Sequence, residues 1–516
     1  MSSLHDNPPA APCPPTLESL PSLLHQHLDQ IIAFCRDNSS SLAFLDFEKT
    51  LLGLLQTLGA TLIQLFLLAR HSQVDLSPWK SRGYRVADPT AERTLKTSCG
   101  PVTYHRALLL PRRGGGSGVH PLDVGLGLTR DGYSPLLIGW FCRLATRVSF
   151  QLASNLGAMF VAYPPPASAI EEWVLGLARP AYAYLSTGPL PEKDGEVLVI
   201  EVDGKAVPTA TEQELARRRG PRTRHRRSCE SGCQRHRGRA QRQRRGRKPR
   251  RKKGDKSKNG RSATLVVMYT LRRGEDGRLH GPCNKKVYGT FGARRTAWLW
   301  ARNQATRRGF PVGTDKTVQV VIDGEICLER QVRELFPGAI VTLDVRHAQE
   351  KLWEVGRLFH REGSEELKDW VEELEELLFK GHVRTLIQRL EKESRGMSQR
   401  GPGTKEKRAT LARVIGYLNA RVKLMDYGRW RKEDLVIATG QVEGAARNVV
   451  GERLDNSGMR WIEERAEAVL LLRCIEINGD WEDFMKWSQT QRSEELGRGQ
   501  VVQIRSKTPT QLPQAA

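Results

Sequence analysis

Three short segments, far apart in the chain, end in acids of the kind that hold divalent cations. The strand-like run 197–204 closes on Asp203 and Gly204, and the run 318–324 closes in the same way on Asp323 and Gly324. Residues 439–447 open a helix with Glu443 one turn inside. Carboxylates are hard oxygen donors suited to Mg2+, which completes its shell with water and phosphate oxygens; Mn2+ accepts the same ligands. Two such ions about 3.5–4 Å apart activate a water or a 3′ hydroxyl and stabilise the leaving oxygen of a phosphodiester. Asp-Gly after a strand is also an ordinary turn signal, so each pair alone is weak and only the combination points to a site.

These acids need elements that hold them. Asp203 shares strand parity with Val197 and Val199, and Asp323 with Val321, so each acid closes an otherwise apolar face. A strand end fixes the side chain and exposes it. Glu443 stands beside Gly444, Ala445 and Ala446, small residues that let its helix approach a sheet closely. Further strands are expected at 264–271 and 286–291, joined by a Gly-rich turn, and at 339–343, with helices at 294–308 and 326–335. The order is βββαβαβ, with Asp203 ending the first strand and Asp323 the fourth. Apolar stripes at Leu367, Trp370, Val371, Leu374 and Leu378, and at Val383, Leu386, Ile387 and Leu390, predict an α-helical insertion over 363–428. A final catalytic helix and a C-terminal helix follow over 429–489, and a disordered tail over 490–516.

Ahead of this α/β part, residues 17–187 read as an all-α, DNA-binding region preceded by a disordered segment, 1–16. Helical spacing runs through 17–34, 42–69 and 134–160, and a capping box at Ser168 and Glu171 opens a helix to about Ala178. With the turn at Tyr163–Pro166 this fits a helix-turn-helix, although any helical hairpin looks alike. A strand is expected at 102–110. Leu51–Ala69 is the most apolar stretch, but Gln56, Thr57, Thr61 and Gln64 interrupt it. A buried helix is therefore expected there, with no membrane partner.

The formal charge is +24 over 516 residues. Residues 217–261, placed within the first part of the core (188–362), hold 22 Lys/Arg against 2 Asp/Glu, so 20 of the 24 charges lie in one segment. Arg217, Arg218, Arg219, Arg244, Arg245, Arg247, Lys248, Arg250, Arg251, Lys252 and Lys253 are its densest clusters. Such a run, poor in aromatics, suits the phosphates of double-stranded DNA rather than base stacking, and it reads as a disordered loop. Nine unpatterned cysteines fit a reduced, cytoplasmic protein. His225, Cys229, Cys233 and His236 do not have the spacing of a standard zinc finger.

Taken together, Asp203-Gly204, Asp323-Gly324, Phe336-Pro337, the run Leu343–His347, Gly440–Gly444, Arg453-Leu454, Ser457–Trp461 and Asn478–Trp481 resemble the DDE transposases of bacterial insertion sequences. The similarity is to the Kra-type family, with Mutator-like relatives, and runs from about Phe44 to Trp481. It implies an RNase H-like catalytic core interrupted by a helical insertion before the last acid. It implies the triad Asp203, Asp323 and Glu443, magnesium dependence, and cutting and joining at element ends, with a homo-oligomer on DNA. Relatives often carry a Cys-rich ribbon after the strand at 102–110; residues 111–116 hold no cysteine.

Asp344 and His347 form an Asp-x-x-His, either a helix N-cap with a first-turn His or a supporting part of the site. Arg460 and Trp461 are expected to begin a helix, Trp461 as core or as a stacking surface for a distorted base. Glu201 shares the face of Asp203 and is a lesser metal candidate. The rival readings are a nuclease or resolvase without strand transfer, a domesticated DNA-binding protein, and an RNA-binding protein that uses the Arg-rich run, which leaves the three acids unexplained.

Overall fold

A computed structural model describes residues 16–38, 42–112, 118–129, 131–212, 260–310, 316–401, 403–456 and 458–498. The chain forms two compact units, one of residues 1–188 with 475–513, the other essentially 189–474.

In the first unit, α1 (Leu20–Asp37) and α2 (Phe44–Ser72) lie beside a two-stranded antiparallel hairpin, β1 (Tyr84–Thr97) and β2 (Gly100–Pro111). The region is thus not wholly helical as expected. β1 escapes a sequence reading because charged residues and Pro89 dilute its alternation; Pro89 sits where the register with β2 slips. A buried acid organises the hairpin: Asp123 accepts from Tyr104 Oη (3.0 Å) and Arg106 Nε (2.7 Å) and pairs with Arg93 (2.8 Å). α2 is not the buried helix expected. It packs Leu67, with Ala60, Ile63 and Leu68, on the hairpin core, yet most of its apolar residues stay accessible. With a mean hydropathy of 1.9, it is the one helix among the described residues long and apolar enough to cross a membrane.

Helices α3 (Ser77–Ser81), α4 (Pro121–Gly125), α5 (Pro135–Arg147), α6 (Phe150–Gly157) and α7 (Ala167–Thr187) follow. α7 runs two turns past Ala178 and through Pro180. Its buried stripe, Trp173, Leu177, Ala181, Tyr184 and Leu185, outweighs the hydrogen bond that a helical proline forfeits. The C-terminal helix Trp481–Gly497 belongs to this unit: Phe484 meets the ring of Tyr184 edge-on, and Ser493 Oγ donates to Val124 O (2.6 Å). It continues where a disordered tail is expected from 490, because its buried positions there are polar: Ser488, and Arg492, which donates to Ser488 Oγ (2.6 Å).

The second unit is α/β. Its mixed five-stranded sheet is built from β3 (Val197–Pro208), β4 (Gly260–Arg273), β5 (Leu279–Thr290), β6 (Thr317–Ile322) and β7 (Ile340–Leu343), in the order β5-β4-β3-β6-β7. β3 is antiparallel to β4 and parallel to β6, and β6 is parallel to β7. Residues 197–202 of β3 are buried without alternation, as in a sheet covered on both faces. α8 (Arg294–Arg307) lays Trp300 flat on Tyr288 (4.8 Å) and Trp298 against Phe336, so both tryptophans are structural. α9 (Ile326–Leu335) and α10 (Val345–Phe359) complete the βββαβαβ order.

The insertion is helical as expected: α11 (Glu365–Phe379), α12 (Val383–Gly396) and α13 (Thr404–Asn419), with the anticipated stripes buried. At one end of the sheet, Arg308 and Asp194 form a buried pair (2.6 Å). Burial works against the Asp194 carboxylate, but hydrogen bonds from Arg308 and Asn284 outweigh it and hold its pKa below the usual range. Arg308→Ala would strand that charge and is expected to cost about 3–5 kcal/mol, read as a lower denaturant midpoint for the second unit.

Candidate active site

The sheet brings two of the expected acids together. In the parallel pairing of β3 with β6, Glu201 lies opposite Val321. Asp203 and Asp323 each stand two residues further on, so they lie at the same level and on the same face; Asp323 follows the end of β6, but Asp203 does not end its strand as expected, since β3 stays paired with β4 to Pro208. Both are partly exposed. Burial raises the Asp203 pKa, the negative charge of Asp323 raises it further, and the Gly204 N–H bond to Asp203 Oδ1 (2.6 Å) and the nearby His347 oppose the rise.

The Asp323 turn is clamped. Gly324 has φ +85°, and a Cβ there would stand 2.6 Å from both Leu343 Cδ1 and Tyr417 Oη, so conformation and space both require glycine. Asp323 Oδ1 accepts from the Glu325 N–H (2.9 Å), Tyr417 Oη donates to Asp323 O (3.3 Å), and Arg421 Nε donates to Gly324 O (2.6 Å). The Arg421 guanidinium lies 3.9 Å from the Tyr417 ring centroid. The end of the helical insertion thus holds the acid's backbone.

The third acid arrives on α15 (Gly440–Ala445), which runs on into a π-helix, Ala446–Asp455; α14 (Tyr427–Lys432) precedes it. Five bonds fix the approach to α15 and its first turn. The buried Gln319 donates to Val436 O (2.6 Å) and accepts from its N–H (3.1 Å). Val345 N–H donates to Ile437 O (2.9 Å). Thr439 Oγ1 donates to Asp344 Oδ2. The Val442 N–H donates to Glu201 Oε2 (2.8 Å).

Glu201 is fully buried and also accepts from Tyr269 Oη (2.7 Å). Burial raises its pKa, against the bonds from Tyr269 and Val442. It does the work of an N-cap for α15, whose Thr439 makes no side-chain cap bond. Expected as a lesser metal candidate, it stands in the structure as a buried anchor, with one oxygen bonded to Tyr269 and the other to Val442. Glu443 itself is exposed, with Oε2 3.8 Å from Arg346 Nη1. Among the described residues, no three His, Cys, Asp or Glu side chains already stand close enough to enclose a metal.

Asp344 is the N-cap of α10, accepting from Arg346 N–H (3.0 Å). Burial alone would raise its pKa, but bonds from His347, Thr439 and the Arg346 backbone bring it below the usual range. The hydrogen bond to Asp344 (3.3 Å) in turn raises His347. The N-cap and supporting readings of this pair are therefore compatible: Asp344 caps α10, orients His347 and anchors Thr439.

Arg460 is exposed, but neither it nor Trp461 begins a helix; the helix starts at Glu463. Trp461 is core. It bridges β3 through Trp461 N–H to Pro208 O (3.1 Å), under the Arg453 guanidinium at 4.6 Å, so it is not an accessible stacking surface. The clusters Arg217–Arg219, Arg244–Lys248 and Arg250–Lys253, and the 225–236 Cys/His group, lie outside the described residues.

Sequence reasoning missed Gln319, Tyr269, Tyr417, Arg421 and Thr439. Only Gln319 carried a signal, as a polar residue inside an apolar strand. No protein-family model matches this chain, and no curated protein matches it.

Two outcomes follow. A raised folded-state pKa contributes stability that is present below the unfolded value and lost as pH rises through the folded one. Ionised Asp203 therefore costs stability at neutral pH, and in chelator Asp203→Asn is expected to raise the melting temperature by about 1–2 °C. By the same sign, the Asp344 contribution to His347 is present below about 6.5 and fades as pH rises through the raised value. In Asp344→Asn, NMR titration of selectively labelled histidine should return His347 toward 6.5.

Proposed function

We propose that this chain is a metal-dependent DNA-cutting and strand-joining enzyme, a DDE-type transposase with an RNase H-like core and the triad Asp203, Asp323 and Glu443. One observation carries the reading: Asp203, inside β3 just past its last pairing with β6, and Asp323, directly after β6, stand in register and on one face, at an electrostatic cost that burial and the charge of Asp323 impose on Asp203. Proteins keep such a cost where function requires it. The strand order β5-β4-β3-β6-β7 and the helical insertion ahead of Glu443 support the same reading.

The donor set fits Mg2+: carboxylate oxygens, partly exposed, with a repulsion that a divalent cation relieves. Asp203 and Asp323 would hold it, with Glu443 completing the set once its contact with Arg346 is exchanged. Bound there, Mg2+ supplies Lewis-acid stabilisation of the phosphodiester oxygens. The rest falls to the chain. Tyr417 and Arg421 keep Asp323 at its level beside Asp203. Glu201 and Asp344 keep α15 on the sheet. Arg346 and Arg460 present positive charge to phosphate, and Asp344 orients His347 beside them. The segment 217–261 contributes non-specific affinity for double-stranded DNA.

Asp203→Asn, Asp323→Asn and Glu443→Gln are each expected to lower Mg2+-dependent nicking of supercoiled DNA by at least about 10³-fold, as removal of a metal-ligand charge would. Filter-bound DNA should change little, because the basic contacts remain. Magnesium should raise the melting temperature of the wild type but not of Asp203→Asn. Near-wild-type nicking by any of the three variants would remove that residue from the site.

A further inference from the structure

α2 has three faces, and the described residues of the first unit cover two. One packs on the hairpin core through Leu67, Ile63 and Ala60. A second meets α1, where Phe47 stacks on Phe34 (5.4 Å) and Thr61 bonds His27 (3.3 Å). The third carries Phe44, Leu45, Leu52, Leu55, Leu62 and Phe66, each 48–76% exposed. From Leu45 onward these follow spacings of seven, three, seven and four, the seam of a coiled coil. Exposed Met159 and Phe160 extend the surface, tied to α2 by the bond from Gln56 Nε2 to Phe160 O (3.0 Å).

We infer that this face is the interface of a symmetric, antiparallel pairing of α2 with α2 of a second copy of this chain, formed without DNA. The register is set by the sequence of the face itself. With the two-fold axis crossing near Gly59, Leu52 meets the partner's Phe66 and Leu55 meets the partner's Leu62. In that same register Glu48, at one end of the stripe, meets the partner's Arg70 at the other; both are exposed. One register thus satisfies apolar and charged positions together, and antiparallel helix dipoles favour it.

The area is adequate. Six side chains at this exposure offer about 600 Å² per copy, so a pair buries roughly 1,200 Å², the lower bound of a stable interface. From Leu45 to Phe66 the seam is about 32 Å long.

A membrane is the weaker occupant. To span one, α2 would strip Leu67 and Ile63 from the hairpin core. To lie on one, it would want basic residues flanking the apolar face, whereas Glu48 and Arg70 have opposite signs. The pairing is independent of what the carboxylates of the other unit do.

Sedimentation equilibrium on the full chain, without DNA, tests this. The wild type should be a dimer at micromolar concentration, and Leu55→Glu/Leu62→Glu a monomer with unchanged circular dichroism. Glu48→Arg should weaken the dimer roughly tenfold through like-charge contact with Arg70, and Glu48→Arg/Arg70→Glu should restore it. Should the double glutamate variant misfold, the charge-swap series decides alone. A monomeric wild type, a dimer indifferent to both glutamates, or a swap that fails to restore would each overturn the proposal. So would a monomer that floats with phosphatidylcholine–phosphatidylserine vesicles, which would assign the face to lipid.

Discussion

Two buried carboxylates hold the second unit's site together. Glu201 and Asp344 have no exposed surface, and each accepts hydrogen bonds from the segment that carries Glu443. A buried acid is costly unless its oxygens are satisfied. Here the satisfaction comes from backbone and hydroxyl donors more than two hundred or about a hundred residues away in sequence. The cost of burying charge thus becomes a positional constraint: α15 sits where the Val442 N–H and the Thr439 hydroxyl reach those oxygens. Gln319, buried on β6 and bonded to both polar groups of Val436, adds a neutral anchor of the same kind.

Against this rigid frame the outer acids are under tension. Asp203 and Asp323 are carried to the same level by strand register, which is decided by apolar packing along β3 and β6 and is indifferent to charge at the strand ends. The helical insertion offsets part of that tension mechanically. Its Tyr417 and Arg421 bond the backbone at Asp323 and Gly324, so the turn does not swing away to relax the repulsion. An insertion whose stripes read as self-contained packing therefore ends on the turn of a proposed catalytic acid. The two roles are compatible because the packing uses α11 to α13 while the contact uses only the last turn of α13 and Arg421 beyond it.

Polar stripes recur as structural devices in both units. The C-terminal helix buries Ser488 and Arg492. The π-helix after α15 is supported by Arg473, whose Nε donates to Val449 O (2.6 Å), meeting a carbonyl of an uncommon helical geometry. Such groups are held in the interior by hydrogen bonds, as from Arg492 Nη2 to Ser488 Oγ and from Arg473 Nε to Val449 O. They also carry no hydrophobic signal.

That division separates what the sequence determined alone from what tertiary structure decided. Legible in the sequence were the α/β order βββαβαβ, the insertion stripes, and the acid that follows β6; Asp203, expected to end the first strand, lies inside β3, because pairing with β4 carries that strand on to Pro208. All three follow from local periodicity and from where it stops, and periodicity is a property of near neighbours. The hairpin strand β1 was not legible, since its alternation is diluted by charge and by Pro89 at a register slip. Nor was the exposure of α2: the same leucines suit a buried helix or an open face, and only the count of neighbours distinguishes them. The role of Glu201 was hidden for a sharper reason. It shares parity and chemistry with Asp203 two residues on, and nothing local says that one oxygen pair meets Val442 and Tyr269 while the other points to solvent. Partners that are remote in sequence decide it, and they meet only when the chain is folded.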